Sequence, residues 1–328
     1  MSVNLPAFAD VEAAAVRIAP FAFKTPLVEN ADLNAKLGAR IFLKLETLQR
    51  TGSFKFRGAL NRISKIPPAD RAKGVVAFSS GNHAQGVAAA AALFAVPALI
   101  VMPKDAPRAK LEGTRAYGAE IVFYDRATDD REAIALALCE ERGATLIRPF
   151  DDPDIVAGQG TVGLEIAHDA ALRGVTLDAV LTPCSGGGLV GGIALALSVL
   201  SPATRVVSVE PENYDGMKRS LAAGARTAAP GGAPSIADGL MAPIPGKIPF
   251  ALAKRHLIDT LAVGDLELVN AVAYAAQTLK LLVESSGAAG LAALISGKFA
   301  ARDQAVAVVL TGANGDLSAI AEACARAR

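Results

Sequence analysis

The chain of 328 residues is poor in groups that could build a metal or disulfide framework. Its three cysteines, Cys139, Cys184 and Cys324, lie far apart, and no zinc or disulfide pattern follows from them. Cys184 is expected to be a buried apolar thiol. Of the three histidines, His168 and His256 have no partner pattern and read as structural or exposed. An excess of charge of either sign is also missing. There are 33 Lys and Arg against 32 Asp and Glu, a formal net charge of +1. That gives no reason to expect a nucleic acid or an anionic membrane as partner. The start, Met1-Ser2-Val3-Asn4-Leu5-Pro6, has no basic segment leading into an apolar core, so a secretory signal is not expected. A membrane span is not expected either. The apolar stretch from Gly86 to Met102 is broken by Pro97 and falls short of the ~20 residues that a spanning helix needs. It divides instead into an alanine-rich helix and a strand from Ala98 to Met102. A cytoplasmic location fits these absences.

What is present is a regular alternation. Apolar runs of strand length occur at Val75 to Phe78, Ala98 to Met102, Glu120 to Tyr124, Ala179 to Thr182, Val206 to Val209 and Val306 to Leu310. Helical patterns separate them, notably Arg131 to Arg142 and Leu266 to Leu282. Alternation of this kind predicts an α/β protein with parallel sheets covered by helices. At this length the chain should form two lobes or one large α/β unit. No internal repeat or long disordered segment is visible. Ala229 to Pro234 reads as an exposed connection, and Pro149 to Asp154 as a junction between lobes.

Three segments carry chemistry. In Ser53-Phe54-Lys55-Phe56-Arg57-Gly58-Ala59 a lysine stands inside an aromatic, otherwise apolar stretch. Burial would lower its pKa and let the amine form a Schiff base, although a surface lysine covering Phe54 and Phe56 has the same pattern. The second segment, Thr182 to Gly192, contains Cys184-Ser185-Gly186-Gly187-Gly188-Leu189 between a predicted strand and a predicted helix. Glycine amides and a helix N-terminus there suit a phosphate. Gly186, Gly188 and Gly191 also satisfy a dinucleotide fingerprint, with Glu210 near the place of a ribose-binding acid. A nicotinamide-dependent dehydrogenase therefore stays open at this point, as does a purely structural turn. The third segment, Ser79-Ser80-Gly81-Asn82-His83, supplies more polar groups than one helix cap needs and could bind a carboxylate.

Together these segments resemble the fold-type II pyridoxal phosphate enzymes, specifically the serine/threonine dehydratase and serine racemase family. The resemblance extends through Lys44-Leu45-Glu46, Gln49 to Gly58, Val101-Met102-Pro103, Ala157-Gly158-Gln159-Gly160-Thr161, Ile236-Ala237-Asp238-Gly239 and Thr311-Gly312-Ala313-Asn314, nearly the whole chain. It implies a tryptophan synthase beta-like fold, with two open, twisted, mostly parallel sheets flanked by helices. It also implies a large cofactor-binding domain from residues 1–49 and 150–328, and a small domain from residues 50–149. Pyridoxal 5'-phosphate is the implied cofactor, held by Lys55, with Phe54 against the ring and Asn82 on its phenolic oxygen. Gly186, Gly187, Gly188 and Leu189 would receive the phosphate, and the neutral Thr311 would face the pyridine nitrogen. Ser79, Ser80, Gly81, Asn82 and His83 would line the substrate carboxylate site.

This chain departs from many relatives in having Ser185 for Gly, and Thr311-Gly312-Ala313-Asn314 for Ser-Gly-Gly-Asn. Those departures put the local backbone at Ala313 in question. The implied reaction is β-elimination of water and ammonia from a small-molecule substrate, L-threonine, L-serine or L-threo-3-hydroxyaspartate. Racemisation using Lys55 and Ser80 is the alternative within the family. The segment Glu210 to Gly216 resembles a divalent-cation site for Mg2+ or Ca2+, with Glu210, the Tyr214 carbonyl and Asp215 as expected ligands. Gly216 stands where a second acid is usual. A homodimer is expected, and feedback by isoleucine through an effector domain beyond Arg328 is not.

Overall fold

The computed structural model describes residues 4–106, 108–256 and 258–327. Met1 to Val3 of the N-terminal segment lie outside the described residues. The strands are β1 (Leu27–Glu29), β2 (Arg40–Leu45), β3 (Val75–Phe78), β4 (Ala98–Pro103), β5 (Glu120–Tyr124), β6 (Thr145–Leu146), β7 (Ala179–Pro183), β8 (Arg205–Pro211), β9 (Asp259–Val263) and β10 (Ala305–Leu310). One sheet has four strands in the order β5-β4-β3-β6 and the other has six in the order β1-β2-β10-β7-β8-β9. All pairings are parallel except β1 with β2. The four-stranded sheet draws on a continuous stretch of chain, whereas the six-stranded sheet takes strands from both sides of that stretch.

Continuous apolar strands explain this arrangement. Every residue of β3 and β7 is buried, and only the first residue of β10 is not. A strand buried on both faces needs helices on both faces, which parallel βαβ crossovers supply. Over one face of the large sheet, Ile41, Leu181, Val207 and Val308 pack with Leu268, Val272 and Leu291. Over the other, Phe42, Val180 and Val309 pack with Val162, Ile166, Val190 and Ile193. The helices Pro153–Leu172 and Gly188–Leu200 carry the last four.

The helix expected over Leu266 to Leu282 is shorter and irregular. It runs as an α-helix over Asp265–Tyr274 and continues as a π-helical turn at Ala275–Leu279. Lys280 then adopts a left-handed conformation, φ 59° and ψ 34°, and ends it. The apolar periodicity does continue, but the turn redirects Leu281 to Glu284 toward the end of β10, where the Glu284 N–H donates to the Gly312 carbonyl.

Two of the chemistry-bearing segments, and Thr311, directly follow the C-terminal ends of parallel strands. Ser79 to Gly81 follow β3, Cys184 to Gly187 follow β7, and Thr311 follows β10. The Phe54 N–H donates to the Thr311 carbonyl at 3.1 Å, and Ser53 forms a bridge with Gly312. The lysine segment is thereby tied to the end of the central strand. Such strand ends are where open α/β sheets leave a crevice for ligands.

Candidate active site

A cavity of about 210 Å³ opens at these strand ends. Phe54 and Lys55 line it from the start of the helix Lys55–Ser64. Ser79, Ser80, Gly81, Asn82 and His83 line it from the turn after β3, and Gly186, Gly187, Gly188 and Leu189 from the turn after β7. Thr311 completes the set. Glu210, Tyr214 and Asp215 do not line it.

Among the described residues Lys55 has no anionic partner. Its Nζ donates to the Pro149 carbonyl at 2.7 Å and sits 5.2 Å from the centre of the Phe54 ring. Desolvation lowers its pKa to about 8. More of the amine is therefore neutral near pH 7 than for an ordinary lysine, as nucleophilic or proton-accepting work requires.

The glycine loop is shaped for backbone contact with an anion. A Cβ at Gly186 would fall 2.3 Å from the Phe150 ring, and one at Gly187, which has φ +91°, would fall 2.6 Å from Met217 Cε. No side chain caps the helix Gly188–Leu200 that begins here. Its first amides are left for a ligand, with the positive end of the helix behind them. No Lys or Arg belongs to this loop, so what the loop itself offers a phosphate is its N–H groups and the Ser185 hydroxyl. Ser185 lines the cavity, and its hydroxyl accepts from the Ala242 N–H at 3.0 Å, which braces the loop. The donor set and the close packing fit a phosphate monoester.

The turn after β3 presents a second uncapped helix N-terminus. Gly81 precedes the helix Asn82–Leu93 and again no side chain caps it. His83 is spent structurally. Its Nε2 lies 2.9 Å from the Ile147 carbonyl, an acceptor only, so Nε2 carries the hydrogen. Burial, reinforced by the Lys55 charge, lowers its pKa to about 3, and it is a neutral wall of the cavity.

Several cavity residues were not singled out from the sequence. Phe150 backs the glycine loop, and Glu284 is buried against Asn82. Lys110 and Asp238 form a 2.5 Å ion pair, and Arg126 and Arg131 add two cations at the wall facing the four-stranded sheet. Asp238 belongs to a segment that carried the resemblance. For Glu284 and Phe150 no local signal existed, because their neighbours come from distant parts of the chain.

Glu210 lies in β8, fully buried, and its two carboxylate oxygens accept from the Met217 and Lys218 N–H groups at 2.8 and 2.9 Å. Burial raises its pKa to about 8. It is not presented to a ribose at the glycine loop. Asp215 is engaged by Arg219 Nε at 2.7 Å. Among the described residues no group of three His, Cys, Asp or Glu could hold a metal ion.

Known proteins resemble this chain over most of its length. A family model described as pyridoxal-phosphate dependent enzyme matches residues 18–312. An L-threo-3-hydroxyaspartate ammonia-lyase of Pseudomonas sp is 45% identical over 315 residues, covering 96% of this chain and 97% of the relative. A solved threonine deaminase of T.th. is 44% identical with a TM-score of 0.89, covering 95% of this chain and 99% of that one. Maize serine racemase is 35% identical with a TM-score of 0.91, covering 98% of each.

Proposed function

The chain belongs to the pyridoxal-phosphate dependent enzyme family, and on that premise we propose that it is an ammonia-lyase that eliminates water from a β-hydroxy α-amino acid. The products are a 2-oxo acid and ammonia. The observation that carries this reading is the convergence of a desolvated Lys55 with two uncapped helix N-termini in one cavity. Support comes also from relatives named as ammonia-lyases and deaminases.

Lys55 would hold the cofactor through Nζ, Gly186 to Leu189 would bind its phosphate through N–H groups, and Phe54 would cover one ring face. Asn82 would meet the phenolic oxygen, and Thr311 would offer the pyridine nitrogen a neutral hydroxyl. When bound, pyridoxal phosphate supplies a sink for the electron pair left at the substrate α carbon. Ser79 to His83 orient the substrate carboxylate. Lys55, released to its neutral form, then takes the α proton. The β carbon–oxygen bond breaks, and the hydroxyl departs as water with the proton that Lys55 has taken. The enamine released hydrolyses to the 2-oxo acid and ammonia.

Among the three substrates, the cavity favours the dicarboxylic one, L-threo-3-hydroxyaspartate. The turn after β3 takes one carboxylate, and Arg126 and Arg131 leave positive charge for another. Arg126 is paired with Asp105 at 2.8 Å, whereas the Arg131 guanidinium lies over the Phe78 ring at 5.6 Å. A racemase reading draws on Ser80, which lines the same cavity as Lys55 and could exchange the α proton.

Residues 50–149 form the small unit and the remainder the large one. Two copies pair in the cytoplasm, with exposed Phe23 and Leu48 among the surface a partner copy would cover. Among the described residues no helix is long and apolar enough to cross a membrane. A Mg2+ or Ca2+ ion at Glu210 and the Tyr214 carbonyl would have to displace the Met217 and Lys218 amides, and Arg219 from Asp215. That donor set does not fit a cation well, and no step passes through one.

The test is a visible spectrum of the purified protein, then assays of ammonia and 2-oxo acid with each of the three substrates. A visible band with release of both products is expected. A protein that stays colourless and inert after pyridoxal phosphate is supplied would overturn the reading.

A further inference from the structure

Two groups have no part in the chemistry above, the carboxyl of Glu284, which lines the cavity, and the amide of Asn314 behind Asn82. Glu284 is 5% exposed and Asn314 is half-buried, and the two are joined through Asn82. The order of donors along this chain can be worked out atom by atom. Asn314 Nδ2 donates to the Thr51 carbonyl at 2.6 Å and to Asn82 Oδ1 at 2.8 Å. A carbonyl only accepts, so the Asn314 nitrogen is identified, and both its hydrogens are used. The Asn82 atom facing it must then be the oxygen. Asn82 Nδ2 is left on the other side, where it donates one hydrogen to Glu284 Oε1. Among the described residues its second hydrogen meets no acceptor, and Asn82 lines the cavity.

The chain of bonds is tightly enclosed. The Glu284 N–H donates to the Gly312 carbonyl at 3.0 Å. A Cβ at Gly312 would lie 2.5 Å from Glu284 Oε1 and 3.1 Å from Asn82 Nδ2, so only glycine lets these two side chains meet there. Burial raises the Glu284 pKa, opposed by Lys110 and by the Asn82 bond and reinforced by Asp238. Oε1 can accept from Asn82 whether or not Oε2 carries a proton.

We propose that Glu284 is a positioning residue: with Asn314 it locks the Asn82 amide in one orientation, leaving one Nδ2 hydrogen free for the phenolic oxygen of pyridoxal phosphate. The proposal rests on the cofactor reading given above. Without Glu284 the amide would lose the acceptor that holds its nitrogen toward the cavity. Without Asn314 it would lose the donor that identifies its oxygen side.

The experiment titrates apoprotein with pyridoxal phosphate and records the dissociation constant and visible spectrum for native protein, Glu284→Ala, Glu284→Gln, Asn82→Ala and Asn82→Ala/Glu284→Ala. Thermal melting of each apoprotein checks folding. Glu284→Ala should bind about tenfold more weakly, the loss expected for one hydrogen bond. Glu284→Gln should return to within about threefold, because its amide oxygen can accept from Asn82. The double variant should bind no more weakly than Asn82→Ala alone, since Glu284 acts through Asn82. Glu284→Ala with native affinity and spectrum would overturn the proposal. So would a well-folded Glu284→Gln no better than Glu284→Ala, or losses that add in the double variant. Native apoprotein that takes up no cofactor would overturn the cofactor reading itself, and this proposal with it. The variant outcomes arise only in a native protein that binds, so the two failures are distinguishable.

Discussion

Lys55 Nζ donates a 2.7 Å hydrogen bond to the Pro149 carbonyl, 94 residues away along the chain. That bond holds the amine in the cavity without a counter-charge, so desolvation sets its pKa at about 8. The rate at which apoprotein forms its visible band with pyridoxal phosphate should rise with pH up to about 8 and then level. An ordinary lysine would keep gaining toward its usual pKa of about 10.4. Rapid-mixing absorbance across pH checks this, and a rise continuing well past about pH 9 would show the amine to be solvated. The linkage has a definite sign. Between the two values the unfolded chain binds the proton that the native one has lost, so this group makes stability increase as pH rises from about 8.

Two residues further on, Arg57 anchors the same helix. Its Nε and Nη2 donate to the two oxygens of Glu46 at 2.8 Å each, and Nη1 reaches Glu165 at 2.6 Å. Lys44 closes the network on Glu165, also at 2.6 Å. Arg57→Met leaves the fully buried Glu46 without its ion-pair partner and should cost roughly 3–5 kcal/mol of stability. Urea unfolding measures it, and a loss below about 1 kcal/mol, the scale of an exposed pair, would contradict the account.

At the phosphate loop, Gly186→Ala drives a methyl into the Phe150 ring. The loop must shift its amides to avoid it, and affinity for pyridoxal phosphate should fall at least tenfold, or about 1.4 kcal/mol. Equilibrium dialysis of the variant decides this. Unchanged affinity would mean that the loop does not carry the phosphate.

Substrate choice is tested at the cationic wall. Arg131→Ala should lower kcat/KM for L-threo-3-hydroxyaspartate by about tenfold to a hundredfold, the range for a lost charge-assisted hydrogen bond. The value for L-threonine should change little. Equal losses for both substrates would place Arg131 at the common carboxylate, not at the distal one.

Much of this was legible in the sequence, for local reasons. Strands β3 and β5 begin and end where their apolar runs do, and the helix Arg131–Arg142 runs between its Asp130 cap and Gly143. The strands β1, β2, β6 and β9 were not singled out. β1 and β6 are three and two residues long, and β9 reads Asp-Thr-Leu-Ala-Val with only its last residue buried. β1, β6 and β9 have too little apolar signal to stand apart from loops, and neighbouring strands decide their pairing; β2, Arg-Ile-Phe-Leu-Lys-Leu with its last five residues buried, did carry a strand-length apolar run.

The three motifs that face the cavity were written in the order of residues alone. Each is a contiguous segment whose backbone chemistry is set by its own glycines and small polar residues. Lys55, Ser79 to His83 and Gly186 to Leu189 were therefore identifiable before any contact between them was known. What stands between and behind them was settled by folding in three dimensions. Phe150 against Gly186, Glu284 against Asn82 and Lys110 against Asp238 are pairings across long stretches of chain. A buried carboxyl such as Glu284 takes its meaning from desolvation and from the donors around it, and those are supplied by packing, not by neighbours in sequence.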